Sequence, residues 1–368
     1  MAIKIPAEVF PPGEFLADEL EARGWTQTEF AEIIGRPFKL VNDIILAKRS
    51  VTPETAADFS AALGTSPQFW MNLETAWQLS KVPPRDDSIA RAAKLRERFP
   101  VREMCKRGWV QPGGSIHELE QNVFAFFNIS SVEEPIQFQH AARRNYKHDV
   151  TAHQWAWIFR VHQLATALKI PAYSEATLRK RILELETLMT EPEGVRQVPR
   201  LLLECGVRLV VVEPIPGSEI QGVCFWINEN KSPVIGPTLK GDQIDKFWFD
   251  LWHELEHVLG GDGKDGPIIE DFDEDDVGDD ESEKNANRAA ADHCVPLEAM
   301  KDFILRHNPM FSEKSLLGFA RIMKRHPGII AGQIQKRTGR WDLFKRHQAK
   351  IRHILIQAAL TDGYGVNT

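Results

Sequence analysis

Lys246 to Leu259, KFWFDLWHELEHVL, restricts the fold of this chain more than any other segment. Its apolar residues keep the helical period, so it has to be a helix that turns one face to a core. Within it stands His253-Glu254-Leu255-Glu256-His257, an H-E-x-x-H spacing. Histidines four apart lie about 40° apart around a helix and roughly 6 Å along it. Both imidazoles can therefore reach one ion, as a tetrahedral zinc requires. Glu254 is turned too far from that face to join them comfortably, but it can hydrogen-bond a water at the metal, which makes it the candidate general base. The plain alternative is a solvated helical face. Two β-rich apolar runs bounded by Gly and Pro, Gly206 to Val212 and Gly222 to Ile227, precede the helix and read as strands.

Downstream, an alanine-rich helical stretch ending before Pro296 holds Glu283 and Asn287, again four apart on one face. Packed against the first helix, it would bring a carboxylate as third ligand and leave a water position open. This two-helix constellation, with its strand pair and the run GIIAGQIQ at Gly328 to Gln335, resembles the ImmA/IrrE metallopeptidases across about residues 195–340. That resemblance places His253, His257 and Glu283 on the metal-ligand positions, the last in the motif E-x-x-A-N, and Glu254 on the catalytic glutamate. It implies a Zn2+ cofactor and a narrow protein substrate, such as a repressor or a partner toxin. The chain departs from the family pattern at Glu256, where Gly is usual, and at His293 and Cys294. No tyrosine stands near the motif to stabilise an oxyanion, which leaves His293 as a candidate. A metal site that only senses or scaffolds, in a non-enzymatic antitoxin or autorepressor, is the alternative reading.

The first eighty residues show helical periodicity interrupted every 10 to 15 residues by Gly, Pro and Thr, which predicts five short helices. Phe30, Ile33 and Ile34 share one face, and Val41, Ile44 and Ile45 another, with Gly35 at the break between them. Two helices joined by so short a turn are the sequence form of a helix-turn-helix. The runs WTQTEFAEIIGRP, KRSVTPETA and LGTSPQFWMNLE closely resemble HigA-type antitoxins of the Cro/repressor class over residues 8–82. By that resemblance Pro37 to Leu46 is the recognition helix. Lys39 and Asn42 then face base edges while Gln27, Lys48 and Arg49 lie near phosphates, and a homodimer reads an inverted repeat in a double-stranded DNA operator. The net charge of −5 over residues 1–80 opposes counterion release and leaves a protein-interaction module as the alternative.

A chain of 368 residues with a net charge of −7 is long enough for two or three domains and too acidic for a nucleic-acid coat. Its charge is unevenly placed. Residues 81–200 carry +5, Glu270 to Glu283 hold ten acidic side chains and no basic one, and Leu297 to Thr368 carry +8. The acidic stretch reads as a solvated loop, or as one that gates or steers peptides at the cleft. Aromatic residues at Trp155, Trp157 and Phe159, with Arg143, Arg144 and Lys147 upstream, read as core or as a nucleic-acid platform. Ser315 to Lys336 reads equally as a second helix-turn-helix or as part of the peptidase domain. Cys105, Cys205, Cys224 and Cys294 are too scattered for a disulfide framework, and no apolar run suits a membrane span, so a cytoplasmic protein is expected. The fold class expected is mainly α with a small β-sheet. Its parts are a five-helix helix-turn-helix bundle over 1–82, a basic helical middle over 83–194, an α+β zincin-like metallopeptidase domain over 195–300, and a basic helical C-terminal region over 301–368.

Overall fold

Side-chain caps set where three of the five N-terminal helices begin, and proline precedes the other two. In the computed structural model, which describes residues 9–83, 86–138, 150–271 and 281–366, these helices are α1 (Pro12–Arg23), α2 (Gln27–Ile33), α3 (Phe38–Ile45), α4 (Pro53–Leu63) and α5 (Pro67–Ser80). They make up the first of two units, Met1–Asp87 and Ser88–Thr368. Thr26 closes a capping box with Glu29, whose carboxylate accepts from the Thr26 backbone N–H at 2.7 Å. Thr52 caps α4 ahead of Pro53, and Ser66 accepts from the Phe69 N–H ahead of α5. These side chains satisfy amide groups that a helix start leaves without partners.

The five helices close on Leu16, Phe30, Val41, Ile44, Phe59 and Trp70, all fully buried or nearly so. Each is worth about 1.5–3 kcal/mol when removed from water. Two polar contacts stitch the rim of this core. The Trp70 indole donates to Thr65 Oγ1 at 2.7 Å, and the buried Glu74 carboxylate accepts from the Val51 N–H at 2.9 Å. At Gly13 the start of α1 approaches α3 so closely that a Cβ would lie 2.1 Å from the Ile44 carbonyl oxygen.

The second unit begins with α6 (Ser88–Arg98), α7 (Val101–Lys106), α8 (Ile116–Phe127), α9 (Ala152–Ala167), α10 (Glu175–Thr187) and α11 (Val198–Glu204). The strands β1 (Arg208–Val212), β2 (Ile220–Ile227) and β3 (Ser232–Pro237) follow, then α12 (Ile244–Gly260), β4 (Ile268–Asp271) and α13 (Glu281–Cys294). The chain continues through α14 (Leu297–His307), α15 (Glu313–Met323), α16 (Pro327–Thr338) and α17 (Arg352–Leu355) to β5 (Leu360–Asp362). The strands form one mixed sheet in the order β4-β2-β3-β1-β5. β1 runs parallel to β3 and β5, whereas β2 is antiparallel to both β3 and β4.

Alternation along the strands divides two cores. Leu209, Val211, Cys224, Trp226 and Ile235 face α12, α13 and α16, while Val210, Val212, Val223, Phe225 and Val234 face α8 and α9. Because both faces are covered, the strands read as continuous apolar runs rather than as alternating ones. α12 is correspondingly buried on most sides, from Ile244 through Trp248 and Trp252 to Val258.

The chain is mainly helical with a small sheet, as its sequence predicts, but three strands escape the sequence reading. β3 contains two prolines, β4 begins the acidic stretch, and β5 has three residues. Trp157 and Phe159 are core residues of the second unit and Trp155 packs partly buried against them, whereas Arg143, Arg144 and Lys147 lie outside the described residues. Residues 272–280, the centre of the acidic stretch, also lie outside them. The segments expected as a middle region, a peptidase domain and a C-terminal region pack into one unit. α15 and α16 bury Leu316, Ala320, Ile329, Ile330 and Ile334 in the core that contains α12. Arg325 turns inward, donating to the Cys294 and His293 carbonyls at 3.0 Å each and thereby capping the end of α13. No described helix is long and apolar enough to cross a membrane.

The Gly13 contact is directly testable. Gly13→Ala forces α1 away from backbone that cannot yield, so the first unit should lose about 1–3 kcal/mol in urea unfolding. An unchanged midpoint would show that α1 and α3 are not packed as described.

Candidate functional site

α3 holds its place in the first unit through Leu40, Val41 and Ile44, which point inward. The opposite face presents Lys39 exposed and Asn42 half-buried. Gln27 lies half-buried at the first residue of α2, and Lys48 and Arg49 are exposed just after α3. There the backbone N–H groups of both residues donate to the Asp43 carbonyl, at 2.8 and 3.1 Å. Charge pairing sharpens this face. Arg23 is paired with Glu19 and Arg36 with Asp58 at 2.7 Å. Among the described residues up to Ser80, the positive charge left without an ion pair is that of Lys39, Lys48 and Arg49. Among the described residues of the whole unit the cations without an ion pair are then these three around α3, and Lys81, which lies over the Trp77 ring after α5.

The second unit gathers its ionisable groups around α12. His253, Glu254 and His257 are exposed by only 5%, 2% and 1%. Their helix packs between the sheet and α13, while the carboxylates that border it, Glu270 and Glu283, stay partly exposed at 19% and 24%. The Nε2 atoms of His253 and His257 approach to 2.9 Å. Glu283, from the first turn of α13, reaches both, with carboxylate oxygens 3.3 Å from His253 Nε2 and 3.5 Å from His257 Nε2. The three residues that the sequence separates by up to thirty positions therefore meet at one point.

A fourth group joins them that sequence reasoning treated only as one carboxylate of an acidic loop. Glu270 lies in β4, opposite Gly222 of β2, and its Oε1 is 2.7 Å from His253 Nε2. Among the described residues, His253, His257 and Glu270 are close enough together to hold a metal ion. The available signal was the pair Ile268-Ile269 just before Glu270, an apolar start consistent with a short strand.

Glu254 projects from α12 toward β2. A Cβ at Gly222 would lie 2.7 Å from Glu254 Oε1 and 3.5 Å from Glu270 Oε2, so only glycine leaves room for these carboxylates beneath the strand. Both Glu254 oxygens are buried without a hydrogen-bond partner. Burial, reinforced by the Glu270 charge, pushes the Glu254 pKa well above the ordinary carboxylate range. Burial alone would depress His253, but the carboxylates of Glu270 and Glu283 outweigh it and raise its pKa to about 11. Glu283 also loses water by burial, yet the two imidazoles hold its pKa far below the usual value. Asp262 supports His257 from behind, its Oδ2 3.1 Å from Nδ1, and accepts from the Ser282 hydroxyl at 2.6 Å.

This donor set suits a zinc ion. Tetrahedral ligands at about 2.0–2.2 Å from zinc stand about 3.3 Å from one another, and the contacts of 2.7, 2.9, 3.3 and 3.5 Å bracket that spacing. The Asp262 carboxylate behind His257 is the kind of outer partner that turns the opposite ring nitrogen toward a metal.

The departures at Glu256 and His293 belong together. His293 Nε2 lies 3.4 Å from Glu256 Oε1 and its Nδ1 3.0 Å from Glu186 Oε1, while its ring stacks on Trp252 at 4.3 Å. His293 is thereby committed to joining α10, α12 and α13, where it has no free nitrogen for an oxyanion. Cys294 is fully buried at the end of α13, and burial pushes its thiol pKa up, so it has the character of a core residue.

Comparison with known proteins bears on the first unit. The sequence pattern of the helix-turn-helix family matches residues 16–70. The Escherichia coli K12 HTH-type transcriptional regulator YddM, itself uncharacterized, is 30% identical over 84 residues, covering 23% of this chain and 88% of YddM. A HigA-family addiction module antidote protein from Coxiella burnetii is 29% identical over 21% of this chain and 97% of its own, with a TM-score of 0.19. The Pseudomonas aeruginosa antitoxin HigA, solved with the higBA promoter, is 28% identical over 24% of this chain and 90% of its own, with a TM-score of 0.20. Through its N-terminal unit the chain belongs to the helix-turn-helix family of the Cro/repressor type.

Proposed function

We propose that this protein is a DNA-binding transcriptional regulator, antitoxin-like in its first unit, whose second unit is a zinc-dependent endopeptidase of the ImmA/IrrE kind with a zincin-like site. The observation that supports the enzymatic half is the convergence of His253, His257 and Glu283 beside a buried carboxylate, Glu254, that has no structural partner. Structural carboxylates this deep are normally satisfied. An unsatisfied one next to a metal-type donor set has the form of a general base.

In this reading His253, His257 and Glu283 hold the zinc, and Asp262 keeps His257 oriented with Nε2 toward it. Bound there, zinc supplies Lewis acidity, activating a water and polarising a peptide carbonyl. Glu254 accepts the proton of the attacking water and passes it to the leaving amine. Burial beside the Glu270 carboxylate raises its basicity. The resemblance to the ImmA/IrrE metallopeptidases favours a narrow protein substrate, a specific repressor or a partner toxin, over general digestion.

The DNA half rests on the face of α3. Lys39 and Asn42 read base edges, Gln27, Lys48 and Arg49 hold phosphates, and a homodimer places two such helices on an inverted repeat of double-stranded DNA.

Three outcomes are expected. Wild-type protein should contain zinc and cleave a candidate repressor or toxin partner, whereas Glu254→Gln should contain zinc and not cleave. Equal cleavage by both would remove Glu254 from the chemistry, and a metal-bound protein without any cleavage would favour the non-enzymatic antitoxin. In footprinting on the operator, Lys39→Ala and Asn42→Ala should each lose about 1–3 kcal/mol of sequence discrimination, while Lys48→Ala should weaken all DNA alike and flatten the salt dependence. Unchanged binding in all three would exclude α3 as the reading helix. The third outcome concerns pH. With its pKa raised to about 11, metal-free His253 holds its proton at neutral pH, so zinc uptake must expel it. Apparent zinc affinity should therefore rise with pH, by about tenfold per unit for each proton displaced. Chelator competition from about pH 6 to 8 measures this, and a flat profile would contradict the protonated state.

A further inference from the structure

A catalytic zinc site keeps one position open, whereas a site with four protein donors is closed. Around α12 His253, His257 and Glu270 lie close enough together to hold one ion, and Glu283 approaches the two histidines at 3.3 and 3.5 Å. We propose that Glu270 is a fourth protein donor to the ion held by the other three, and that β4 thereby acts as a strand latch that an extended peptide must displace before the site can work. This rests on the zinc-peptidase reading of the same residues and adds its regulation.

Three observations support it. First, the Glu270 contact is short but poorly aligned for a hydrogen bond. Oε1 lies 2.7 Å from His253 Nε2, yet it is buried and has no hydrogen-bond partner of acceptable geometry. The oxygen stands off the direction in which a ring N–H would point, as expected when nitrogen and oxygen both face a common centre. An ordinary His–Glu pair at this distance would align its proton instead.

Second, Glu270 reaches the centre from the edge of the sheet. β4 is the outermost strand and pairs antiparallel with β2, in the register Gly222–Glu270, Val223–Ile269 and Cys224–Ile268. It has four residues, and its ladder slips between Ile220 and Gly222. So short and interrupted an edge strand is held by few backbone bonds.

Third, the edge that β4 covers is the one that lies beside Glu254. An extended peptide adds to a sheet by pairing with a free edge, taking its affinity from main-chain hydrogen bonds. With β4 lifted, β2 presents that edge beside Glu254, since Gly222 is the residue against which both Glu254 and Glu270 lie. Pairing by a peptide and removal of Glu270 are then one event, and the protein is latent until a chain able to pair with β2 arrives.

The test uses full-length protein loaded with cobalt(II) in place of zinc, and azide as a small probe of an open position. Wild-type protein should show visible cobalt absorption that azide leaves unchanged. Glu270→Ala should respond to azide and should release metal to a chelator at least about tenfold more readily, since even the loss of an outer partner costs a metal site 10–100-fold. Glu270→Gln keeps the volume and should behave in the same direction, which guards against a folding defect in the alanine variant. Azide binding by wild-type protein equal to that of the variants, or metal retention unaffected by either substitution, would overturn the latch while leaving the zinc site in place. Failure of wild-type protein to take up either cobalt or zinc would overturn the latch and the peptidase reading together.

Discussion

Taking an ionisable group out of water costs several kcal/mol unless a partner of opposite charge compensates it, and the second unit does this at least five times within reach of one helix. His253, Glu254 and His257 are buried outright, with Glu270 and Glu283 drawn in from β4 and α13. Such a cluster can persist only where its charges are balanced. In the metal-free state, raised histidine pKa values place protons between the carboxylates; in a metal-bound state a cation would take their place. Much of the surrounding architecture follows from supporting this cluster. The sheet is covered on both faces, α13 is capped by Arg325, and α16 packs beside α12, so the segment after residue 300 helps to close the core on which the cluster sits.

The first unit solves a different problem. It must remain folded with a modest core while presenting cations to a polyanion, although its own net charge is negative. Among the described residues up to Ser80, internal pairing of Arg23 and Arg36 leaves Lys39, Lys48 and Arg49 as the free positive charge, concentrated around α3. Local field rather than total charge then governs the approach of a phosphate backbone, because at physiological salt charges more than about 8 Å away are largely screened.

Several elements were legible in the residues themselves. Pro, Gly and Thr punctuation marked all five N-terminal helices, because caps and helix breakers act within one turn of the backbone. The i,i+4 spacing of His253 and His257 placed both on one face of α12, and Glu283 could be foreseen on a second helix. Less visible were β3, β4 and β5. Proline at both ends of the SPVIGP run, acidic residues in β4 and the brevity of β5 remove the alternating pattern by which a strand is recognised. Glu270 was hidden for the same reason, and His293 acquired its partners Glu186 and Glu256 only through packing.

What the sequence by itself determined is therefore local: where helices start, which side chains share a helical face, and which family the first unit belongs to. Tertiary structure alone decided that Glu270 joins Glu283 at the two histidines, that Gly222 leaves space for Glu254 and Glu270, and that residues 88–368 form one unit. The physical reason is one of range. Capping and periodicity are set by backbone geometry over three or four residues, whereas a buried charge is placed by partners from four separate elements. Those partners become neighbours only after the sheet and its covering helices have closed.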